Sequence, residues 1–270
     1  MEHIKLKYRS LFKGLSPKPI KLEIPGWAGE PNKHTNGDMP QPWHCPPFIE
    51  ASTYGLELYY PFETECRVKN INDKIIFDGD FSKEKEKYDI PIQFPPFMSF
   101  APNHFGMTSG VDIQVPKDFI LRTEPHPRFY TDSTNTVPCC ISGHLQTNWW
   151  PKIFFVVFKN PIEGQELIFR KSEPYAQILI LPRKAYYQID EMTNQESNER
   201  IIIDKKLEIK TPYIIRNSWR DHLGQPFDDK YKQLSVAINR PIDCDIKSFL
   251  DNVKNNKKSK VKRKLLYRKK

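Results

Sequence analysis

The sequence predicts a mainly β fold, a β-clip-like arrangement or a sandwich or barrel of short strands, with two short C-terminal helices. Three observations carry that reading. The 270-residue chain holds 24 prolines and only 11 glycines, and proline at that density breaks helix interiors too often for an all-α protein. Aromatic residues make up 13% of the chain, with Phe and Tyr predominating; set between prolines, aromatic and β-branched residues favour short strands. Beyond residue 55, short apolar runs recur, each bounded by turn residues. That pattern belongs to sandwiches, barrels and clips rather than to parallel sheets with crossover helices.

Residues 1–50 are rich in breakers, among them Ser16-Pro17-Lys18-Pro19, Pro25-Gly26, Asn36-Gly37 and Pro46-Pro47. They read as an extended arm with one strand near residues 20–24, anchored by Trp27, Trp43 and Phe48. From Gly55 the strand pattern begins. Leu56, Leu58 and Tyr60 alternate, residues 66–68 and 74–77 follow, and Asp78-Gly79 predicts a hairpin turn after them. Residues 82–89 read as an exposed loop or a single helical turn, ahead of a Pro-rich piece over 91–102. Further strands are expected over 111–115, 119–122, 152–159, 166–170 and 175–181. Helix signals come late: Tyr231, Leu234 and Ile238 share a helical face before Pro241. Ile246, Phe249, Leu250 and Val253 repeat at i, i+3, i+4, i+7 behind Asp243 or Asp245 as cap. The predicted division is an arm (1–50), one β-rich domain with terminal helices (51–253) and a basic tail (254–270).

The formal net charge is +9, and its position matters more than its size. Residues 254–270 carry ten Lys or Arg and no acid; taking those ten from the 42 basic residues leaves 32 against 33 acidic, about −1. The body is therefore near neutral. Nucleic acid is expected to meet the chain only through a disordered tail, at Lys257, Lys258, Lys260, Lys262, Arg263 and Lys264, by counterion release. A solvated extension of the last helix accounts for the same residues. The five cysteines, Cys45, Cys66, Cys139, Cys140 and Cys244, lack zinc-knuckle spacing, and adjacent Cys139 and Cys140 suit no ordinary disulfide. A reducing, cytoplasmic setting is expected. Residues 1–18 have no apolar signal core and the apolar run 153–158 is too short for a bilayer, so neither secretion nor a membrane span is expected.

Residues 118–183 are the least generic part of the chain. Arg122, Glu124, His126 and Arg128 fall in a stretch stiffened by Pro125 and Pro127, which can hold polar side chains at fixed spacing. His144 and Trp149 belong to a polar turn ending in Trp149-Trp150-Pro151. Glu173 and Tyr175 open the last apolar strand. These eight residues are the predicted ligand-binding set. Arg122, Arg128, Lys171 and Arg183 suit an anion through charge and planar guanidinium forks, although solvated charge at strand ends explains them equally. His126 and His144, with His104 and Asp132, are the residue types of a non-haem iron centre. The His-x-Asp or His-x-His pair of cupin iron sites is absent, and histidines hydrogen-bonded in polar turns are the plainer reading. Glu124 and Glu173 are candidate general acids or bases. Cys139 and Cys140 have only the flanking histidines to favour a nucleophilic role.

In Pro46-Pro47-Phe48 to Pro61, Glu124-Pro-His126-Pro-Arg128-Phe129, Gly143-His144 with Trp149-Trp150-Pro151, and Glu173-Pro-Tyr175-Ala-Gln177, the chain resembles an uncharacterised bacterial and viral family, domain of unknown function 6065. The resemblance covers most of the chain except the tail and implies no activity. The order turn, apolar strand, short connection, strand, then turn and Ala176-Gln177-Ile178-Leu179 is similar to the C-terminal half of β-clip proteins, the dUTPase and dCTP deaminase group. That resemblance implies a final Ala-Gln strand closing the clip and a homo-oligomer with sites between subunits. The chain departs from it in lacking a Ser-Ser-x-x-Arg-like phosphate loop, since Asp132-Ser-Thr-Asn-Thr136 does not fit.

Two functional classes follow. The first is a non-catalytic ligand-binding or accessory protein that takes a small anionic or peptide ligand through Arg122, His126, Arg128, His144 and Trp149. The second is an enzyme, either a cupin-like metal-dependent oxygenase or a divergent nucleotide-handling β-clip protein. The sequence indicates no particular cofactor.

Overall fold

The computed structural model describes residues 4–21, 46–88, 94–132, 134–220, 224–238, 245–253 and 262–263. The chain packs as two compact units: Met1–Lys21 with Ser52–Tyr186, and Leu22–Ala51 with Tyr187–Lys270. This grouping cuts the chain at other points than the arm, body and tail do. The short helix α1 (Pro46–Ser52) runs across one of the boundaries in sequence. Trp27, Trp43, Cys45 and Cys244, and the tail residues Lys257, Lys258, Lys260 and Lys264, lie outside the described residues.

The first unit is built from short antiparallel strands. In chain order they are β1 (Lys7–Ser10), β2 (Lys18–Pro19), β3 (Leu56–Tyr59), β4 (Cys66–Ile71), β5 (Lys74–Asp78), β6 (Phe97–Ala101), β7 (His104–Thr108), β8 (Val111–Gln114), β9 (Phe119–Pro125), β10 (Gly143–Leu145), β11 (Phe155–Lys159), β12 (Glu166–Phe169) and β13 (Pro174–Pro182). Helix α2 (Ser82–Lys87) follows β5. The strands form a two-stranded sheet β1-β8, a five-stranded sheet β10-β9-β13-β3-β2, and two three-stranded sheets, β11-β7-β6 and β12-β4-β5. The mainly β class expected from composition is the one found. Among the described residues no sheet closes into a barrel.

Turn chemistry explains two of the hairpins. Asn72 and Asp73 both have positive φ (51° and 60°) between Ile71 and its partner Lys74, the two-residue connection whose twist matches that of the strands. The hairpin thus precedes β5, and the turn expected at Asp78-Gly79 instead leads into α2. Between β6 and β7, Pro102-Asn103 joins Ala101 to its partner His104, with Asn103 at φ 64°. Proline followed by a residue with positive φ is the type II signature.

Strands this short contribute few residues each, and large aromatic rings fill the space between the sheets. Phe105 stacks on Phe158 at 5.2 Å, and Phe158 meets Phe169 edge-on at 5.3 Å. Rings of this size bury roughly 150–250 Å² apiece and dominate a core. The arm contributes to that core. Phe12 is buried and meets Phe62 edge-on at 5.0 Å, and β1 pairs with β8 from Lys7 to Ser10.

The second unit is mainly helical. It holds α3 (Asn194–Ile214), α4 (Lys230–Ile238) and α5 (Ile246–Asn252), with β14 (Asn217–Arg220), β15 (Pro226–Asp228) and the two-residue β16 (Lys262–Arg263), which pairs in parallel with β14. The two late helices expected from periodicity are α4 and α5, and Asp245 caps α5 by accepting from the backbone of Lys247 and Ser248. The long α3 was not expected. It opens with a capping box in which Thr193 and Glu196 satisfy each other's backbone N–H. Ile203, Leu207 and Ile214 of α3 pack with Leu234, Ile246, Phe249 and Leu250. The Asp229 carboxyl joins this core to the strands by accepting from the backbone of Arg216 and Asn217 and from the Gln233 side chain. No described helix is long and apolar enough to cross a membrane.

Candidate functional site

In the five-stranded sheet, alternation sorts side chains onto two faces. Leu58 of β3, Leu121 of β9 and Ile178 of β13 belong to the core. The other face carries a polar row: Lys18, Glu57, Gln177 and Glu124 occupy successive register positions across β2, β3, β13 and β9. Residues two apart share a face, so Arg122 stands beside Glu124. His126, just past β9 and still extended (φ −71°, ψ 136°), continues the same series. His144 of β10 pairs with Arg122 and is exposed.

The buried centre of this face is a Glu57–His126 pair, 2% and 3% exposed. Glu57 accepts a hydrogen bond from the Tyr59 hydroxyl and lies 3.2 Å from His126 Nε2. His126 Nδ1 accepts from the Arg128 backbone N–H at 3.2 Å. A ring nitrogen that accepts carries no proton, so the proton sits on Nε2 and points at Glu57. Burial pushes the His126 pKa below its ordinary value and outweighs the Glu57 hydrogen bond and charge, which pull it up; the Arg128 charge lowers it further. The Lys18 ammonium stands 4.8 Å from the centre of the Tyr59 ring, and Gln177 Nε2 donates to the Tyr54 carbonyl at 2.6 Å.

The arginines of the predicted set are engaged with carboxylates. Arg122 pairs with Glu124, which also accepts from Ser142. Arg128 Nη1 donates to Glu173 Oε2 at 2.6 Å, and Lys171 pairs with Glu63. Tyr175 is 1% exposed in the aromatic core. A register shift between Pro174 and Ala176 makes it the extra residue of a bulge, and its ring packs 6.2 Å from Phe158 and 6.3 Å from Phe169.

The metal candidates are not brought together. His126 uses both ring nitrogens within the protein, and His104 Nδ1 lies 2.9 Å from the Pro102 carbonyl. Asp132 accepts from Thr134 and Val137; burial would raise its pKa, but these hydrogen bonds hold it below the usual carboxylate range. Among the described residues no three His, Cys, Asp or Glu side chains cluster as a metal site would need. Burial pushes the Cys139 thiol up, and burial, then Cys139 and Glu124, push Cys140 up. Neither is a ready thiolate near neutral pH.

A different surface of the first unit gathers exposed rings and unbonded polar atoms. Arg9 of β1 donates through Nε to Asp112 Oδ2 of β8 at 2.8 Å and through Nη2 to the Pro151 carbonyl at 2.7 Å. This clamp ties the turn 146–151 to the β1-β8 sheet. Beside it lies an open groove of about 320 Å³ whose lining includes Lys7, Tyr8, Arg9, Asp112, Thr147 and Trp149. Tyr8 and Trp149 are 54% and 61% exposed. Trp149 is nevertheless held: its Nε1 donates to Gln146 Oε1 at 3.1 Å, and Trp150 meets it edge-on at 5.7 Å. Thr147 is only 3% exposed, yet neither its hydroxyl nor Asn148 Oδ1 has a hydrogen-bond partner.

The sequence reading missed Glu57, Tyr59, Tyr8, Arg9 and Thr147. The signal for the first two was present, since Glu57 and Tyr59 are the alternate positions to the apolar Leu56, Leu58 and Tyr60. Nothing local marks Tyr8 or Arg9, which meet the turn across a separation of more than a hundred residues.

No family model matches the chain, so the resemblance to domain of unknown function 6065 stands without that support. No curated protein matches it either. Among solved structures, the chain is similar to a native EIAV dUTPase, at 12% identity and a TM-score of 0.33, over 70% of this chain and 98% of the other. Nothing about activity follows from that likeness.

Proposed function

We propose that this chain is a non-catalytic ligand-binding protein whose ligand is met at the groove beside turn 146–151. The observation that supports this reading is the Trp149 ring, exposed to the groove yet fixed by Gln146 and Trp150. A rigid aromatic anchor of this kind binds at low cost in side-chain freedom. The groups best suited to chemistry are occupied elsewhere. His126 is buried with both nitrogens engaged, and Glu124 and Glu173 hold arginines. Arg122, Glu124, Arg128, His144 and Glu173 remain a separate proposed contact surface on the outer sheet face, with His126 and Tyr175 buried behind it, and the groove ligand does not touch them. Because Arg122 and Arg128 already face carboxylates, a small anion gains less there than the sequence alone suggests.

Thermal-shift screening of the whole chain against saccharides, nucleotides, 2-oxo acids and short peptides, with metal content measured in parallel, tests the reading. A ligand should bind, Trp149→Ala should weaken it by on the order of tenfold or more, and His126→Gln should leave its affinity unchanged. Stoichiometric iron that disappears in His126→Ala or His144→Ala would end this proposal in favour of an oxygenase.

A further inference from the structure

We propose that this chain self-associates, with residues 186–191 of one copy laid across the outer face of the β11-β7-β6 sheet of a second copy. The contact is separate from the Trp149 groove and uses none of its lining residues.

Two apolar surfaces of the chain lack a cover among the described residues. The first is the link between β13 and α3, residues 183–193, which belongs to no helix or strand. Tyr186, Tyr187 and Ile189 are 85%, 84% and 92% exposed there. A single exposed apolar residue is ordinary, but three large ones so close together mark a contact surface. The second is the sheet face turned away from the aromatic core. Val156 and Phe158 of β11 belong to the core, so Phe155, Val157 and Lys159 point outward. Beside Val157, the outward position of β7 is Gly106. The Phe100 and Phe155 rings lean over that glycine, since a Cβ there would stand 3.5 Å from one and 3.4 Å from the other. Met98 of β6, the register partner of Gly106, completes an apolar face on which Met98, Phe100 and Phe155 are each at least 40% exposed.

The two surfaces match in order and in spacing. Laid out as a strand, the link presents Tyr187, Ile189 and Glu191 on one side, and β11 presents Phe155, Val157 and Lys159 at the same period of two. Apolar meets apolar at two positions and acid meets base at the third. Each trio spans about 13 Å at the rise of an extended chain. Charge favours the same alignment. The strands β6, β7 and β11 contain no acid, and their charged end is Lys159 with its register partner His104. Neither Lys159 nor Glu191 takes part in an ion pair among the described residues, whereas Asp190, on the other side of the link, accepts from Gln188. Arg183 and Lys184 precede the matched stretch as Lys152 precedes β11, so these cations fall beyond the sheet. Link and face are exposed in one and the same chain, so a second copy carries both halves of the contact. Exchange in both directions covers both surfaces in a closed assembly.

Sedimentation velocity of the whole chain over a range of concentrations is the test. The native chain should sediment as an oligomer. Tyr187→Ser combined with Ile189→Ser should weaken association by on the order of tenfold or more. Both side chains are exposed, so the circular dichroism spectrum of that variant should match the native one. Glu191→Lys and Lys159→Glu should each weaken association severalfold, and the two together in one chain should restore it. A native chain that stays monomeric at every concentration overturns the proposal. So does an oligomer that persists unweakened when Tyr187 and Ile189 are both replaced, or a pair of charge reversals that fails to restore association.

Discussion

Gly55→Ala lowers the stability of the first unit by about 3 kcal/mol, combining the left-handed backbone penalty with overpacking. Gly55 has φ +91°, and a Cβ there would stand 2.3 Å from the Ile178 carbonyl oxygen and 3.1 Å from Leu179 Cδ2. The oxygen cannot yield. Ile178 is in β13, the central strand of the five-stranded sheet, and is paired with Leu56 on one side and Thr123 on the other. Gly164→Ala provides the internal reference, because Gly164 has a similar φ of +82° with nothing within 4 Å of the added carbon. It should cost about 1 kcal/mol. Denaturant midpoints of the two variants separate the steric overlap from the conformational penalty, and equal midpoints would mean that β13 moves.

Glu57→Ala is expected to cost about 3 kcal/mol, because it strands the buried His126 Nε2–H and removes the acceptor of the Tyr59 hydroxyl's bond to Glu57. Glu57→Gln keeps a carbonyl acceptor and should cost clearly less. The same network sets an acid limit. Folded His126 is neutral with its pKa pushed below the ordinary 6.5 by burial. As pH falls through 6.5 the unfolded chain takes up a proton that the folded chain still refuses, so stability is complete above that value and declines below it, towards the lower folded pKa. His126→Gln should flatten this part of the stability-versus-pH curve. A curve for His126→Gln that parallels the native one between pH 6.5 and 5 would show that another group carries the acid loss.

How far the fold was legible depended on how locally each element is specified. Strands with a clear apolar run between breakers, such as Val111–Gln114 and Pro174–Pro182, could be read directly. So could α4 and α5, whose apolar spacing is helical. Helix α3 and the β6-β7 hairpin were among those that escaped, for physical reasons. Helix α3 exposes Ile201, Ile202 and Ile209 while burying Ile214, so its apolar residues mark no single face. The strands β6 and β7 lie around Pro102-Asn103, where a Pro-rich stretch hides a type II hairpin.

The candidate site divided in the same way. The common face of Arg122, Glu124 and His126 could be read from their spacing, since a strand has a period of two. The burial of Tyr175 could not be read, because a bulge, invisible in sequence, sends it into the core. The groove needed long-range geometry, since Tyr8 and Arg9 of the arm meet Trp149 only once β1 has paired with β8.

The central claim is that the chain binds a ligand at the Trp149 groove without transforming it. Equilibrium dialysis of the native chain and Trp149→Ala with the tightest ligand from the screen, followed by mass spectrometry of everything recovered, tests that claim most directly. The account predicts about one ligand retained per native chain, far less on Trp149→Ala, and the ligand recovered chemically unchanged after prolonged incubation. Full retention on Trp149→Ala, or a converted product that accumulates with the native chain, would contradict it.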